Sequence, residues 1–380
     1  MKKILALILA ALMVLCIVAC AKTEEQETGD DDKSNAEQNE ITVSSGKFLY
    51  DTNSEGDYEI TKYVPASVNT VDLLELPETT PDGRDIAGIA DEAFKAILTV
   101  KAVSIPDTYT YIGNFAFYDC DGLEGITLPG SISAIGEYCF AECSKLSSIT
   151  LSSSITKISE GAFKNCLSLV AVSLPESTAE ICDAAFFGCT ALTDVSIQKN
   201  IKSVTKNAFY NCDSLNYTVS ENAKYLGNEN NPYLVLVSAL DLNIEECKVN
   251  KNTTVIADNA FANCKYLEKL ELSAKVSRIN NSSFEGCESL EFNVYDNARY
   301  LGTSENPYAV MVSVIKLSEE NLKLHEDTRI ITDEAFENCI KLEAISYDKT
   351  TAAWKKIIKA ENWNHGINIL VVCNGDNQAE

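Results

Sequence analysis

This chain contains few types of residue that could act in catalysis or bind a metal. The 380-residue sequence has only two histidines, His325 and His365, so imidazole catalysis and imidazole metal sites have little material. It contains no G-x-S-x-G, phosphate-loop, H-E-x-x-H or dinucleotide-binding glycine pattern. Its carboxylates are plentiful but scattered over solvated positions. The sequence therefore predicts a protein that is not an enzyme and that uses neither a cofactor nor a metal.

Cysteine is the one reactive residue type present in quantity. Eight of the fourteen cysteines follow a Phe by three residues, namely Cys120, Cys143, Cys166, Cys189, Cys212, Cys264, Cys287 and Cys339. A residue that recurs once per structural repeat stands in a column of its own copies, and a small soft thiol suits a buried column. The spacing is not a zinc motif. We expect reduced, packed thiols, with some disulfide bridging as the alternative for an exported chain.

The N-terminal segment predicts export. A basic start, MKK, precedes an apolar run over 4–19 that is short for a membrane span and typical of a signal peptide. The run closes on IVAC at 17–20, which resembles a bacterial lipobox. We therefore expect residues 1–19 to be removed and Cys20 to carry a lipid that anchors the chain to the cell membrane, facing outward. Ordinary secretion and an uncleaved anchor are the alternatives.

The next segment, 20–40, predicts a disordered tether. Residues 21–40 hold eight acidic side chains and no aromatic residue, so they cannot bury enough apolar surface to fold. The whole chain has a formal charge of −25. This acidity excludes nucleic acid as a plausible partner and disfavours docking on anionic headgroups, so the lipid is the only expected membrane contact.

The structural elements that position the cysteines are predicted from the spacing of one residue type, Phe. A Phe recurs at 94, 117, 140, 163, 186 and 209, always 23 residues apart, and then at 261, 284 and 336 after steps of 52, 23 and 52. Because 52 is 23 plus 29, the same insertion occurs twice. A fixed period of 20 to 29 residues predicts stacked supersecondary units, each too small to bury its own apolar face.

Aligned on the Phe, the units share an L-x-x-I-x-L strand pattern, as in Leu123, Ile126 and Leu128. The A-F segment that precedes it predicts a short helical or 3₁₀ turn. These residues resemble the BspA-like, or Treponema pallidum-type, leucine-rich repeats of bacterial surface proteins, over roughly residues 45–375. The resemblance implies an α/β solenoid, a leucine-rich-repeat stack with short parallel strands on a concave face and irregular turns on a convex face.

The two insertions, near 221–250 and 296–325, resemble one another. Both contain A-[KR]-Y-L-G, then N-P-Y and a β-rich run, which predicts a β-hairpin with a loop of six or seven residues. Tyr225 and Tyr233 in the first, and Tyr300 and Tyr308 in the second, are candidate contact residues, because tyrosine gives large contact area. The alternative is that these rings pack inward and fix each hairpin to the stack.

Caps are expected at both ends, because an open solenoid exposes core and unpaired strand edges. Residues 41–93 predict an N-terminal hairpin and a first degenerate repeat, and 94–345 the solenoid proper. Residues 346–380 predict a C-terminal cap with a helix over about 352–360, capped by Thr351, and a strand over 367–373.

The remaining candidate surface is the predicted concave face. Nine strands at about 4.8 Å would give a face of about 43 Å. Its exposed middle positions include Thr127, Thr150, Ser173 and Ser196, a hydroxyl-rich stripe. The family resemblance implies adhesion to an unidentified protein or cell-surface ligand. Capture of a glycan or nutrient, or a structural role in the envelope, are the alternatives.

Overall fold

The computed structural model describes residues 39–359 and 363–377. The predicted signal peptide 1–19, Cys20 and nearly all of the predicted tether lie outside the described residues. The described chain opens with three antiparallel strands, β1 (Glu40–Val43), β2 (Gly46–Thr52) and β3 (Tyr58–Pro65). Phe48, Ile60 and Tyr63 of this meander are buried against the first coil.

The chain then winds into coils, each with two short strands. In order they are β4 (Leu74–Glu75), β5 (Ile86–Ile89), β6 (Ala102–Ser104), β7 (Tyr111–Ile112), β8 (Gly125–Thr127), β9 (Ala134–Ile135), β10 (Ser148–Thr150), β11 (Lys157–Ile158), β12 (Ala171–Ser173), β13 (Glu180–Ile181), β14 (Asp194–Ser196) and β15 (Ser203–Val204). The even-numbered strands form one six-stranded parallel sheet, which we call the Ser/Thr sheet. The odd-numbered strands continue from β3 in two ladders, β3-β5-β7-β9 and β11-β13-β15.

The L-x-x-I-x-L pattern sets the register of the Ser/Thr sheet. In β8, Ile126 is buried and Thr127 exposed, because successive side chains of a strand point to opposite faces. Ile126 lies beside Ile149, its copy one repeat later. Each coil thus places the same residue types over those of the coil before it.

The recurrent Phe residues form the centre of the core. Phe163 is fully buried and stacks between Phe140 and Phe186, with ring centroids 5.6 and 5.3 Å apart. Beside this column, the thiol of Cys166 donates to the Phe140 carbonyl at 3.1 Å, a contact repeated in most coils. All twelve described cysteines are free.

The residues around each Phe, which we call the Phe turn, are not the helical or 3₁₀ turn that the sequence predicts. The residue two after the Phe has a positive φ in all nine turns, as at Asn165 (φ 58), and the residue two before it in seven. Alternate N–H groups point to the next coil; the amides of Gly161, Phe163 and Asn165 donate to carbonyls of the following turn at 2.7–2.9 Å. Of the nine Phe turns, which all lie in the described part of the chain, one includes a 3₁₀ turn, Asn281–Phe284.

Each insertion adds antiparallel strands before the coils resume. The first comprises β16 (Thr218–Ser220), β17 (Ala223–Asn228) and β18 (Asn231–Ala239), followed by β19 (Glu246–Lys248), β20 (Val255–Ile256) and β21 (Lys269–Glu271). The second comprises β22 (Asn293–Tyr295), β23 (Ala298–Leu301) and β24 (Val310–Val314), followed by β25 (Asn321–Leu324) and β26 (Ile330–Ile331). The expected loop of six or seven residues is wrong for the first insertion, because strand pairing continues to Asn228 and Asn231.

The insertions interrupt the Ser/Thr sheet, so the expected continuous face of nine strands is wrong. After β14 the Ile197 amide donates to the carbonyl of Gly227 at 2.8 Å, and Gly227 belongs to β17 of the first insertion rather than to a further strand of the Ser/Thr sheet. The strands β19 and β21 then form a separate pair. At the same spacing of about 4.8 Å per strand, the six-stranded sheet is therefore only about 29 Å wide.

The C-terminal part contains β27 (Ala344–Tyr347), the helix α1 (Thr351–Lys356), β28 (Ile358–Lys359), β29 (Leu370–Cys373) and a 3₁₀ turn (Asn374–Asn377). The helix is shorter than expected, and its N-cap is Thr350, whose side chain accepts the Ala353 amide. It ends early because β28 joins the ladder beside β26. Within the described residues, no helix is long and apolar enough to span a membrane.

Candidate functional surface

The Ser/Thr sheet brings the four predicted hydroxyl residues onto one stripe. Thr127, Thr150 and Ser173 are exposed, and Ser196 is partly exposed. Thr127 lies beside Thr150 in the ladder, and Ser173 beside Ser196. The stripe can exchange hydrogen bonds, but it offers none of the large aromatic or Arg side chains that dominate binding energy at protein interfaces.

The structure places Tyr225 and Tyr300 inside the stack, so their side chains cannot meet a partner. Both are fully buried, and burial raises the pKa of each phenol to about 12. The Tyr225 hydroxyl accepts the Asn250 amide at 3.2 Å, and that of Tyr300 accepts the His325 amide at 3.3 Å. These bonds hold each hairpin to the chain that leaves it, as in the packing alternative.

Tyr233 and Tyr308 are half-buried and serve the same packing. Tyr233 meets Tyr225 edge-on with ring centroids 5.5 Å apart, and Tyr308 meets Tyr300 in the same way at 5.7 Å. Tyr308 also stacks on His325 at 4.1 Å. The hairpins therefore use most of their aromatic surface internally.

A different aromatic surface, which sequence reasoning missed, lies on the Phe turns. We call it the aromatic patch; it comprises Phe115, Tyr118, Tyr138, Phe187 and Tyr210, with Lys95 and Lys164. Each member stands two residues before or one residue after a recurrent Phe, so the stack brings their side chains to the surface together. Tyr210 is the most accessible, with 57% of its surface exposed.

The rings of the patch are ordered by stacking between coils. Phe115 stacks on Tyr138 at 5.1 Å, and Phe187 stacks on Tyr210 at 5.5 Å. Tyr138 also covers Gly161, where a Cβ atom would come within 2.4 Å of the ring. The patch is therefore a fixed set of ring edges rather than a set of mobile side chains.

Two lysines join the rings. The Lys95 ammonium lies 5.8 Å from the centroids of both Phe115 and Tyr118. The Lys164 ammonium lies 5.9 Å from the Tyr138 centroid and 5.4 Å from that of Phe187. These cation–π distances place positive charge among apolar rings on a chain of formal charge −25.

Tyr138 is oriented by a hydrogen bond from its hydroxyl to the Glu160 carboxylate at 2.6 Å. This bond, with burial as a second cause, raises the pKa of Tyr138 to about 12, so the phenol stays protonated at neutral pH. The described residues contain no group of three or more His, Cys, Asp or Glu side chains placed to hold a metal ion.

The repeats match a known family model. The BspA type leucine rich repeat region matches in six copies, over residues 86–229 and 315–358. The chain belongs to the BspA-type leucine-rich-repeat family. Its fold is the solenoid that the family resemblance implies. A search of curated proteins gives no match.

Several solved structures are similar to this chain. A leucine rich cell surface protein from Faecalibacterium prausnitzii is 22% identical, with 84% of this chain and 97% of that chain covered and a TM-score of 0.40. The leucine rich repeat protein of T. pallidum is 22% identical, covering 66% and 90%, with a TM-score of 0.36. The pneumococcal vaccine antigen PcpA is 16% identical, covering 88% and 85%, with a TM-score of 0.36.

Proposed function

We propose that this BspA-type protein is an exported, non-catalytic surface protein that binds other proteins, and that the aromatic patch is its contact surface. The observation that carries the proposal is the cluster of five ordered aromatic residues and two lysines on one side of the coils. Tyrosine and cation–π pairs provide large contact area at low entropic cost.

Glycan capture is the second candidate, but the ring geometry favours protein. A sugar stacks on an open ring face, whereas Phe115 and Tyr138 occupy one another's faces. What they present outward is ring edge and hydroxyl, which suits the mixed apolar and polar surface of a protein partner.

Export supports a role outside the cell. The signal sequence over 1–19 and the acidic segment over 20–40 would deliver a lipidated Cys20 with a flexible tether. Under this proposal Cys20→Ala abolishes metabolic labelling with palmitate and either releases the protein or leaves an unprocessed precursor. Unchanged labelling would rule out Cys20 as the lipidated residue.

The binding surface is tested by comparative capture. A soluble form comprising residues 21–380, its Tyr118→Ser, Tyr210→Ser variant and its Thr127→Ala, Thr150→Ala variant are immobilised. Each is incubated with solubilised surface proteins from epithelial cells and from bacterial envelopes, and retained proteins are quantified by mass spectrometry. The proposal predicts that the same proteins are retained by the wild type and the Thr variant and lost from the Tyr variant.

Two results would contradict the proposal. Retention that survives in the Tyr variant and disappears in the Thr variant would assign binding to the Ser/Thr sheet. Retention abolished by enzymatic deglycosylation of the extracts would favour the glycan alternative. Melting temperatures of all three proteins show whether each variant is folded.

A further inference from the structure

Each regular Phe turn uses three backbone N–H groups to bond the next coil. In the turn centred on Phe186, the amides of Ala184, Phe186 and Gly188 donate to the carbonyls of Lys206, Ala208 and Tyr210, at 3.1, 2.8 and 2.9 Å. The three donors are alternate residues, and so are the three acceptors. The donors of one turn therefore bond a row of peptide carbonyls in the next turn.

The turn centred on Phe209 has the same three donors without their acceptors. Asn207 and Asn211 have φ values of 58°, as in the other turns. Yet the amides of Asn207, Phe209 and Asn211 have no backbone or side-chain acceptor among the described residues. We call these three N–H groups the edge donors. Unpaired N–H groups are rare where backbone is buried, and an open row of them is a ready acceptor site for a partner's carbonyls.

The first insertion explains the open row. The chain has no Phe between Phe209 and Phe261, so the segment that contains β16, β17 and β18 has no Phe turn of its own. The strand β18 pairs instead with β20 of the coil that carries Phe261. The amide of Ala239, at the end of β18, instead donates to Ala260 at 2.7 Å and joins the turn centred on Phe261. A cleft of about 470 Å³ separates the Phe209 turn from the Phe261 turn.

The walls of this cleft carry further groups suited to a ligand. Tyr210, the most exposed ring of the aromatic patch, lines the cleft together with Tyr217 and Lys224. On the opposite wall, the Oδ1 atom of Asn259 is buried and has no hydrogen-bond partner within the described chain. A peptide can meet both needs, because it supplies carbonyl acceptors to one wall and an N–H donor to the other.

The alternation of the edge donors favours peptide over a free anion. In a regular turn the same three donors meet the carbonyls of three alternate residues of one chain, as the Phe186 turn meets Lys206, Ala208 and Tyr210. A carboxylate or phosphate has no such row of carbonyls. The cleft also holds Asp213 and Asp258 against the single cation of Lys224, on a strongly acidic chain. An anion would be repelled, whereas neutral carbonyls would not.

We infer that this cleft binds a peptide segment of a partner protein, whose alternate carbonyl oxygens accept hydrogen bonds from the amides of Asn207, Phe209 and Asn211. The segment occupies the position that a Phe turn takes elsewhere in the stack. The inference rests on the proposed function in one respect, that the partner is a protein, and it adds a backbone-reading site beside the aromatic patch.

The second insertion provides a comparison turn of different backbone conformation. There Asn281–Phe284 is a 3₁₀ turn, and Ser282 lacks the positive φ that Asn207 has at the same position before Phe209. The two sites are related by a shift of 75 residues, so equivalent substitutions can be compared.

The test measures amide exchange in the ¹⁵N-labelled soluble form, residues 21–380, by NMR. The probe is the capped peptide TKNAFYNS, which copies residues 205–212 with Ser for Cys212. Without peptide, the amides of Asn207, Phe209 and Asn211 should exchange quickly and those of the Phe186 turn slowly. Peptide at about ten times its Kd should slow exchange at the three edge donors roughly tenfold.

A pair of variants tests whether the peptide binds in this cleft. Ser238→Trp places a large ring in the cleft and should abolish peptide-induced protection, whereas Ser313→Trp, its counterpart in the second insertion, should leave it unchanged. The wild-type exchange experiment stands alone if Ser238→Trp does not fold. Slow exchange of the edge donors in free protein, no protection by peptide, or equal protection by acetate would each overturn the inference.

Failure of the proposed function and failure of this inference can be told apart. Loss of the Tyr118 and Tyr210 side chains removes partner capture if the patch binds protein, but it leaves the backbone donors in place. Protection of the edge donors by peptide without capture of a partner would support the cleft and contradict the aromatic patch as the contact surface. Capture that depends on Tyr118 and Tyr210, without protection by peptide, would support the patch and contradict the cleft.

Discussion

At the scale of single residues, the Phe column dominates stability. Phe163 contacts a ring above and a ring below and is wholly buried. Phe163→Ala should lower the free energy of unfolding by roughly 3–5 kcal/mol, through lost apolar transfer and the cavity left behind. Urea denaturation measures this. Leu167→Ala is the control, since Leu167 is 47% exposed, and should change stability by less than about 0.5 kcal/mol. A loss under about 1 kcal/mol at Phe163 would refute its place in the core.

A second residue-scale effect concerns Asp258. Burial raises the pKa of this carboxyl to about 6, with Asp333 and Asp183 adding to the rise and Arg278 opposing it. Between about pH 4 and pH 6 the folded chain therefore binds more protons at Asp258 than the unfolded chain does. Stability falls as pH rises through that window, and above it the ionised group costs roughly 3 kcal/mol at most.

Asp258→Asn should remove this cost while keeping the acceptor for the Asn280 side chain, which donates to Asp258 at 2.7 Å. We expect the variant to be more stable than wild type by about 1–3 kcal/mol at pH 7.5 and not at pH 4. Urea denaturation at both pH values checks the sign. The exposed Asp194→Asn should show no such difference; a variant that is less stable at pH 7.5 would contradict the assignment.

At the scale of elements, the column of eight cysteines is a packing device. In the regular coils each thiol donates to the carbonyl of a Phe 26 residues earlier, as Cys143 does to Phe117 at 3.0 Å. Burial raises the pKa of Cys212 to about 12 and that of Cys264 to about 11, so the thiolate is rare at neutral pH. Such thiols react slowly.

The column should therefore be isolated in reduced form. When the protein is unfolded without reductant and alkylated, mass spectrometry should find most of the eight column thiols free. Four disulfides within the column would reverse this interpretation. In the folded protein the same thiols should be alkylated far more slowly than after unfolding, because burial keeps them protonated and inaccessible.

The sequence predicts the regular elements well because their apolar positions recur. The Phe spacing and the L-x-x-I-x-L pattern place Phe140, Ile126 and their copies in the core, where the structure has them. The conformation of the Phe turn was missed, although Asn, Gly or Asp occupies the positive-φ site after most recurrent Phe residues and these residues tolerate that conformation.

The candidate surface was harder to predict. Tyr118 and Tyr210 each follow a recurrent Phe, but that position is aromatic in only three of the nine repeats, so the repeat pattern does not mark it as a surface of aromatic residues. Their neighbours come from other coils: Phe187, for example, contributes the ring that stacks on Tyr210. The segment without a Phe turn was not predicted either. In the sequence a missing Phe appears only as a longer interval, here from Phe209 to Phe261.

At the scale of the whole described chain, the insertions divide the core. One buried cluster runs from Phe48 to Leu215 with part of the first hairpin, a second spans the first insertion and the coils after it, and a third packs around Phe336. Because solenoid stability passes through nearest neighbours, Phe163→Ala should raise amide exchange in the first cluster and leave the third largely protected.

The central claim is that the aromatic patch of this BspA-type protein contacts a protein partner. The most direct test replaces Tyr118, Tyr210, Thr150 or Tyr308 singly with the photoreactive benzoylphenylalanine and irradiates each protein with a partner identified by capture. The account predicts covalent adducts from positions 118 and 210, and none from 150 or 308. Adducts formed from 150 or 308 while 118 and 210 give none would contradict it.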